Sequence, residues 1–258
     1  MSGISGVSGS SQMNNYYSAL SSGSRINSAR DGASESAILA KEDSQVRGYD
    51  AGSENLQSGK NMLNIADSAL GGVTDYLQRM KELAVRASNG LLTNDDKRGI
   101  QSEIDQIKQG ITNLTGSTNY NTKNLLDGSN SSMNIVSDGN GTTQSLNNAN
   151  STLEALGIKD FNVMGRFDIR DIDRALDKVG GDRTSIGGQT NGLDYALNYN
   201  SIASYNTTAS KSRTGDTDYA DYVSKLQKET TMETYKIMMQ KKQQENDTNN
   251  MSRLFFSI

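Results

Sequence analysis

Apolar residues recur every three or four positions in two adjacent segments, and this spacing constrains the fold more than any other feature. The positions are Leu70, Val73, Leu77, Met80 and Leu83/Ala84 in the first segment, and Ile100, Ile104, Ile107, Ile111 and Leu114 in the second. Because an α-helix has 3.6 residues per turn, each set forms one apolar stripe. The second set also has the alternating spacing of a coiled-coil seam. Both segments are therefore predicted to be amphipathic helices.

The residues between the two stripes predict a tight connection. Asn89-Gly90 can end a helix, and Thr93 or Asn94 can cap the next one. The region is therefore predicted to be a helical hairpin. Upstream, residues 34–66 are predicted to be helical, although three glycines at 48, 52 and 59 each cost up to about 1 kcal/mol there. Gly71-Gly72 leaves open whether this region forms one long helix or two.

The middle of the chain changes composition. Residues 129–150 are rich in Ser, Asn, Gly and Thr, and residues 133–136 (MNIV) precede a Gly-rich turn, which predicts a short strand. Residues 161–164 (FNVM) are predicted to be another strand. Helical periodicity returns at residues 169–179, 186–197 and 219–239.

The composition limits how these elements pack. Only 33% of the residues are hydrophobic and the mean hydropathy is -0.67, so the helices can bury only narrow seams. We predict a mainly α protein, an elongated antiparallel helical bundle formed by the N- and C-terminal halves, with a short β-hairpin region in the middle. The predicted parts are terminal inner-core helices (1–33 plus 215–258), a helical-bundle core (34–128 plus 165–214) and a β-containing excursion (129–164).

Several function classes are disfavoured. The chain contains no Cys and no His, which excludes thiolate and Ser-His-Asp catalysis and removes the commonest zinc ligands. Its net charge of -4 disfavours nucleic acid and an anionic membrane surface. No segment has the roughly 20 apolar residues of a membrane span, and the N-terminus lacks a signal-peptide pattern. We expect no enzyme activity, no catalytic residue and no cofactor.

One acidic cluster has two interpretations. Asp171, Asp173 and Asp177 are interleaved with basic residues on a predicted helix. Carboxylates bind hard cations, so a metal site is conceivable, but a solvated face with ion pairs is the favoured interpretation. We therefore predict no metal site.

Six segments resemble the bacterial flagellin family. They are residues 20–38 (LSSGSRINSARDGASESAI), 77–86 (LQRMKELAVR), 100–107 (IQSEIDQI), 119–128 (NYNTKNLLDG), 172–179 (IDRALDKV) and 218–220 (DYA). The resemblance implies a structural subunit of the flagellar filament that supports motility. It implies self-association as a homopolymer, an export chaperone and a filament cap as partners, and a secreted, extracellular location reached without a cleaved signal peptide. Large outer domains are expected to be missing, because only residues 129–164 separate the two halves.

The resemblance also implies two sets of site residues. The expected assembly residues are Tyr16, Tyr17, Leu20, Arg25, Val223, Leu226, Leu254 and Phe255. Recognition by a host Toll-like receptor, as part of innate immunity, maps onto Arg79, Leu83, Arg86 and Glu103, with Arg86 standing where the family usually has Gln. For Leu83 a surface role and plain packing are equally open, since it also completes the apolar stripe.

Two departures from the family pattern leave alternatives open. Residues 2–10 are rich in Gly and Ser, and residues 240–250 are strongly polar. A minor or non-polymerising flagellin-like secreted protein, and a hook–filament junction protein, are therefore alternatives to a main filament subunit.

Overall fold

The computed structural model describes the backbone of residues 4–255 and the side chains of residues 11–252. Its helices and strands are α1 (Ile4–Ser22), α2 (Ala33–Ala87), α3 (Asn94–Ser117), β1 (Asn119–Tyr120), β2 (Lys123–Asn124), β3 (Ser132–Val136), β4 (Thr143–Asn147), α4 (Arg170–Gly215) and α5 (Tyr219–Phe255). The predicted class, a mainly α helical bundle with a short β region, is confirmed.

The chain divides into two compact units. One consists of Met1–Ser44 with Asn206–Ile258, and the other of Gln45–Tyr205. These limits differ from the three parts expected from the sequence. The boundaries of the units fall inside α2 and α4, and each of these helices is continuous there.

The larger unit is built on the predicted stripes. Leu70, Val73, Leu77 and Met80 are fully buried, as are Ile104 and Ile111 of α3. Residues of α4, including Ile172, Val179 and Leu193, join the same core. The α2–α3 hairpin is confirmed, and α2 passes through Gly71-Gly72 as one helix, because packing along its length outweighs the low helix propensity of glycine.

The start of α3 is fixed by the first of the two predicted capping residues. The Thr93 hydroxyl accepts a hydrogen bond from the Asp96 N–H (3.2 Å), while the Asp96 carboxylate accepts from the Thr93 N–H (2.9 Å). This reciprocal pair is a capping box, which satisfies backbone donors at the helix end.

A β-hairpin packs directly on a glycine face of α2. The β3–β4 pair confirms the strand predicted at 133–136. A Cβ on Gly48 would lie 2.7 Å from the Gly139 Cα, and one on Gly52 would lie 2.1 Å from the Ser137 carbonyl oxygen. The glycines that weaken α2 as a helix therefore allow the hairpin backbone to approach it.

A buried amide fastens this contact. Asn200 of α4 is 2% exposed, and its Nδ2 donates to the Ser137 carbonyl at 2.7 Å. Longer hydrogen bonds join the same nitrogen to the Ser53 hydroxyl (3.3 Å) and the Tyr49 carbonyl (3.4 Å). One side chain thus links α4, α2 and the hairpin turn.

The prediction of a second strand at residues 161–164 is wrong. Phe161 and Val163 are buried, but the segment is irregular and its backbone groups bond to α3 side chains. Lys108 Nζ donates to the Phe161 carbonyl (2.6 Å), and the Val163 N–H donates to Gln101 Oε1 (2.8 Å). Phe161 and Val163 alternate with polar residues because both are buried from an irregular segment, and among the described residues the segment does not pair with a strand.

Candidate assembly surface

The two ends of the described chain meet as a helix pair, α1 with α5. The rings of Tyr16 and Tyr222 are 5.6 Å apart in an edge-to-face arrangement. The Tyr219 hydroxyl donates to the Leu20 carbonyl, and the Thr217 hydroxyl donates to the Ala19 carbonyl at 3.2 Å. Residues more than 190 positions apart are thereby held in one structure.

The connection after α1 is fixed by backbone hydrogen bonds. Ser24 and Asp216 form an isolated antiparallel bridge. The Arg25 N–H donates to the Gly215 carbonyl at 2.7 Å, and its guanidinium donates to the Thr214 carbonyl at 2.5 Å. Arg25 is exposed, but its backbone N–H and its guanidinium each bond to the end of α4, so it positions that end.

A polar groove of about 780 Å³ lies beside this helix pair. Its walls include Arg25, Asp31 and both rings of the edge-to-face pair, Tyr16 and Tyr222. Asp31 is engaged locally: the Ser28 hydroxyl donates to it at 2.8 Å, which lowers the pKa of that carboxyl below its usual value. The Asp31 carboxylate therefore serves a local turn contact and is not part of a paired acid and base.

The side of α5 that faces away from α1 carries an apolar stripe. Met232, Tyr235 and Met239 follow the i, i+3, i+7 spacing of one helix face and are 48%, 60% and 54% exposed. Thr230, which contacts the Met13 sulfur at 3.7 Å, and Tyr222 lie on the face directed to α1. We call Met232, Tyr235 and Met239 the outer face of α5.

The outer face was missed among the expected assembly residues, although its spacing was available in the sequence. Of the expected residues, Tyr17 is 57% exposed and Val223 is 40% exposed. Tyr16, Leu20 and Leu226 are half-buried. Leu254 and Phe255 have side chains outside the described residues.

Residues of the expected receptor site divide into two environments. Arg79 bridges Glu103 (2.6 Å) and Glu82 (3.0 Å), and its hydrogen bond with Glu103 is the main cause that raises its pKa. Arg86 is exposed. Leu83, in contrast, is 1% exposed within the core, so the structure favours the packing interpretation for this residue.

The acidic cluster on α4 forms ion pairs. Asp171 pairs with Arg174, and Asp173 pairs with Lys81 of α2 at 2.6 Å. Among the described residues, no three acidic, His or Cys side chains come together as a metal-binding group. Within the same described residues, every helix is too short or too polar to cross a membrane.

Comparison with known proteins gives consistent matches. The family model of the bacterial flagellin N-terminal helical region matches residues 5–131. The flagellin of Halalkalibacterium halodurans is 34% identical, with 78% of this chain and 76% of that protein covered. Flagellin FlaB1 of Treponema pallidum is 32% identical with 78% of each covered, and the Bacillus subtilis flagellin is 31% identical with 81% and 82% covered.

Solved structures give a similar result. The Bacillus cereus flagellin crystal structure has a TM-score of 0.52 and 30% identity, covering 57% of this chain and 88% of that one. A putative flagellar hook-associated protein from Vibrio parahaemolyticus has a TM-score of 0.62 at 18% identity, covering 72% and 100%. The second likeness concerns the fold alone, whereas the first agrees with the sequence relatives.

Proposed function

This chain belongs to the bacterial flagellin family and is a structural subunit of the flagellar filament, and we propose that it polymerises through the α1–α5 pair. The observation that carries the proposal is the outer face of α5. Three large apolar side chains, each about half exposed, follow one helix face in a chain with few apolar residues. Such a surface is typical of an interface.

In this proposal the partner on the outer face is another copy of the chain. A homopolymer with screw symmetry needs a heterologous contact, in which one surface meets a different surface of the next subunit. The outer face supplies one of these surfaces. Tyr17 and Val223, which are also exposed on the same helix pair, are further contact residues in this proposal.

The other predicted assembly residues have supporting roles within this proposal. Tyr16 packs on Tyr222 and the Leu20 carbonyl accepts a hydrogen bond from Tyr219, which holds α1 against α5. Arg25 fixes the connection to α4, and Leu226 is half-buried on α5. Leu254 and Phe255 remain predicted contacts at the end of α5. In this proposal residues 1–33 with 215–258 are the terminal inner-core helices, residues 34–128 with 165–214 the helical-bundle core, and residues 129–164 the β-containing excursion.

Family membership also supports finer proposals about partners and export. The subunit is exported without a cleaved signal peptide, escorted by an export chaperone, and added to the extracellular filament beneath a cap protein. Host Toll-like receptor recognition would use the exposed Arg79 and Arg86 and the half-buried Glu103, with Leu83 supporting them from the core. The role is structural and needs no catalytic group or cofactor.

Sedimentation of polymer from the purified full chain tests the assembly surface. Replacing Met232, Tyr235 and Met239 together by Gln removes about 3 kcal/mol of burial per contact, because each half-exposed side chain contributes about 1 kcal/mol. The critical concentration should then rise about a hundredfold. Unchanged polymerisation by this variant would contradict the proposal.

A matched control uses a methionine of the other unit. Met164 is 41% exposed in a loop, against 54% for Met239. Met239→Gln alone should raise the critical concentration about fivefold, whereas Met164→Gln should leave it unchanged. Equal effects of the two substitutions would mean that general polarity, rather than the outer face, governs assembly.

A further inference from the structure

Three Asn-Gly pairs occupy three different backbone settings in this chain. They are Asn89-Gly90 between α2 and α3, Asn140-Gly141 in the β3–β4 turn, and Asn191-Gly192 inside α4. A glycine after asparagine leaves the backbone nitrogen unshielded by a side chain. That nitrogen can then attack the asparagine amide, if the backbone brings the two groups together.

The first pair has three features that favour this attack. The Asn89 side-chain oxygen, Oδ1, accepts a hydrogen bond from the Leu91 N–H at 3.0 Å. Because the donor is only two residues further on, this bond folds the side-chain carbonyl back over the Asn89–Gly90 peptide. Within the described residues, the Gly90 N–H has no hydrogen-bond acceptor, and the space where a Gly90 Cβ would stand is open.

The other two pairs are held differently. The Gly141 N–H donates to the Asp138 carbonyl at 3.3 Å, which reduces the availability of its nitrogen. Asn191-Gly192 lies in the interior of α4, where the Gly192 N–H belongs to the helical hydrogen-bond ladder and the backbone angles are fixed. The attack is therefore restrained in the turn and blocked in the helix.

We propose that Asn89 is a site of spontaneous deamidation. Hydroxide removes the proton of the Gly90 nitrogen, which attacks Cγ of Asn89 and forms a new N–C bond. The Cγ–Nδ2 bond breaks and the nitrogen leaves as ammonia after taking up a proton, so a five-membered succinimide closes. One water then opens the ring at either carbonyl and gives aspartate or isoaspartate at position 89.

The Leu91 N–H assists the slow step. Negative charge develops on Oδ1 while the Gly90 nitrogen attacks, and the Leu91 N–H already points at that oxygen. A donor fixed in this position stabilises the tetrahedral intermediate more than the neutral amide. The same hydrogen bond thus both folds the side chain into place and lowers the barrier.

The product changes the connection between α2 and α3. Deamidation places a negative charge shortly before α3, whose first turn already holds Asp95 and Asp96. A helix N-terminus accommodates such charge, so the aspartate form should keep the hairpin. The isoaspartate form lengthens the main chain by one carbon in the turn that presents Leu91, which is 91% exposed.

Peptide mapping by mass spectrometry of the full chain, incubated at mildly alkaline pH, tests the proposal. We expect Asn89 to convert at least about tenfold faster than Asn191 and faster than Asn140, with both aspartate and isoaspartate formed. In denaturant, where the three backbones are equivalent, the three rates should converge. Gly90→Ala should slow conversion at Asn89 about tenfold, because its methyl group shields the attacking nitrogen.

Three results would overturn the proposal. Conversion of Asn89 no faster than of Asn191 in the native protein would show that the turn geometry has no effect. A rate order that persists in denaturant would assign it to local sequence rather than structure. Formation of aspartate without isoaspartate would indicate direct hydrolysis instead of a succinimide.

Discussion

Gly52→Ala tests the close packing of the β3–β4 hairpin on α2. The added Cβ would lie 2.1 Å from the Ser137 carbonyl oxygen and 2.9 Å from the Asp138 Cα. Both are backbone atoms, so no side-chain rotation relieves the contact. The turn must move by more than 1 Å to restore an ordinary separation of about 3.4 Å.

The size of the effect follows from two destabilising terms and one stabilising term. Overpacking of this kind costs about 1–3 kcal/mol, and displacement of Ser137 weakens its buried hydrogen bond from Asn200, worth about 1–3 kcal/mol. Alanine regains up to about 1 kcal/mol of helix propensity. The unfolding free energy should therefore fall by about 3 kcal/mol.

The control is Gly71→Ala in the same helix. No atom lies within 4 Å of a Cβ built on Gly71, so alanine there should stabilise the protein by about 0.5–1 kcal/mol. Urea unfolding followed by circular dichroism, with hydrogen exchange of β3 and β4, measures both variants. If Gly52→Ala were as stable as the parent chain, or if Gly71→Ala lost as much stability, the packing argument would be refuted.

Three further predictions concern single side chains. Thr122→Gly should stabilise the protein by about 1 kcal/mol in urea unfolding, because Thr122 is held at φ 65° in the β1–β2 turn, a conformation that a β-branched residue adopts at a cost; a loss of stability would show that the threonine makes compensating contacts. Asn200→Ala should cost about 2–3 kcal/mol by the same measurement, since it leaves the Ser137 carbonyl buried without its donor; a cost below about 0.5 kcal/mol would contradict the fastening role. The hydrogen bonds from Thr93 lower the pKa of Asp96 from 3.8, so its stabilising effect is present above that value and lost as pH falls through the lower folded pKa; acid titrations of stability for Asp96→Asn should lack this component.

The helical framework follows from the sequence because seam residues repeat at helical spacing. Ile100 to Leu114 and Leu70 to Leu83 give unambiguous stripes, and their residues are buried as expected except Leu114, which is partly buried against the same core. Thr93 likewise identifies a helix start through local chemistry alone. These features depend on neighbours within a few residues, which a single sequence contains.

Long-range partners are the part that a single sequence does not contain. Gly48 and Gly52 weaken α2 by propensity, but their purpose depends on a hairpin some 85–90 residues later. Asn200 lies in a polar stretch that gives no sign of burial. Phe161 and Val163 alternate like strand residues, yet they fill the core from a loop because no strand lies beside them.

The candidate site was partly predictable for the same reason. The sequence indicates that both termini form helices, and the structure pairs them through Tyr16 and Tyr222. The outward direction of Met232, Tyr235 and Met239 depends on which face of α5 meets α1. That choice is made by tertiary packing, so the sequence contains the spacing of these residues but does not show that they face away from α1.

Negative-stain electron microscopy of the purified full chain, beside a chain that ends before Met232, tests the central claim most directly. The truncated chain retains Tyr16, Tyr222 and the first turns of α5 but lacks the outer face. We predict filaments from the full chain and monomers from the truncated one at the same concentration. Filaments of normal length from the truncated chain, or persistent monomers from the full chain, would contradict assembly through the outer face of α5.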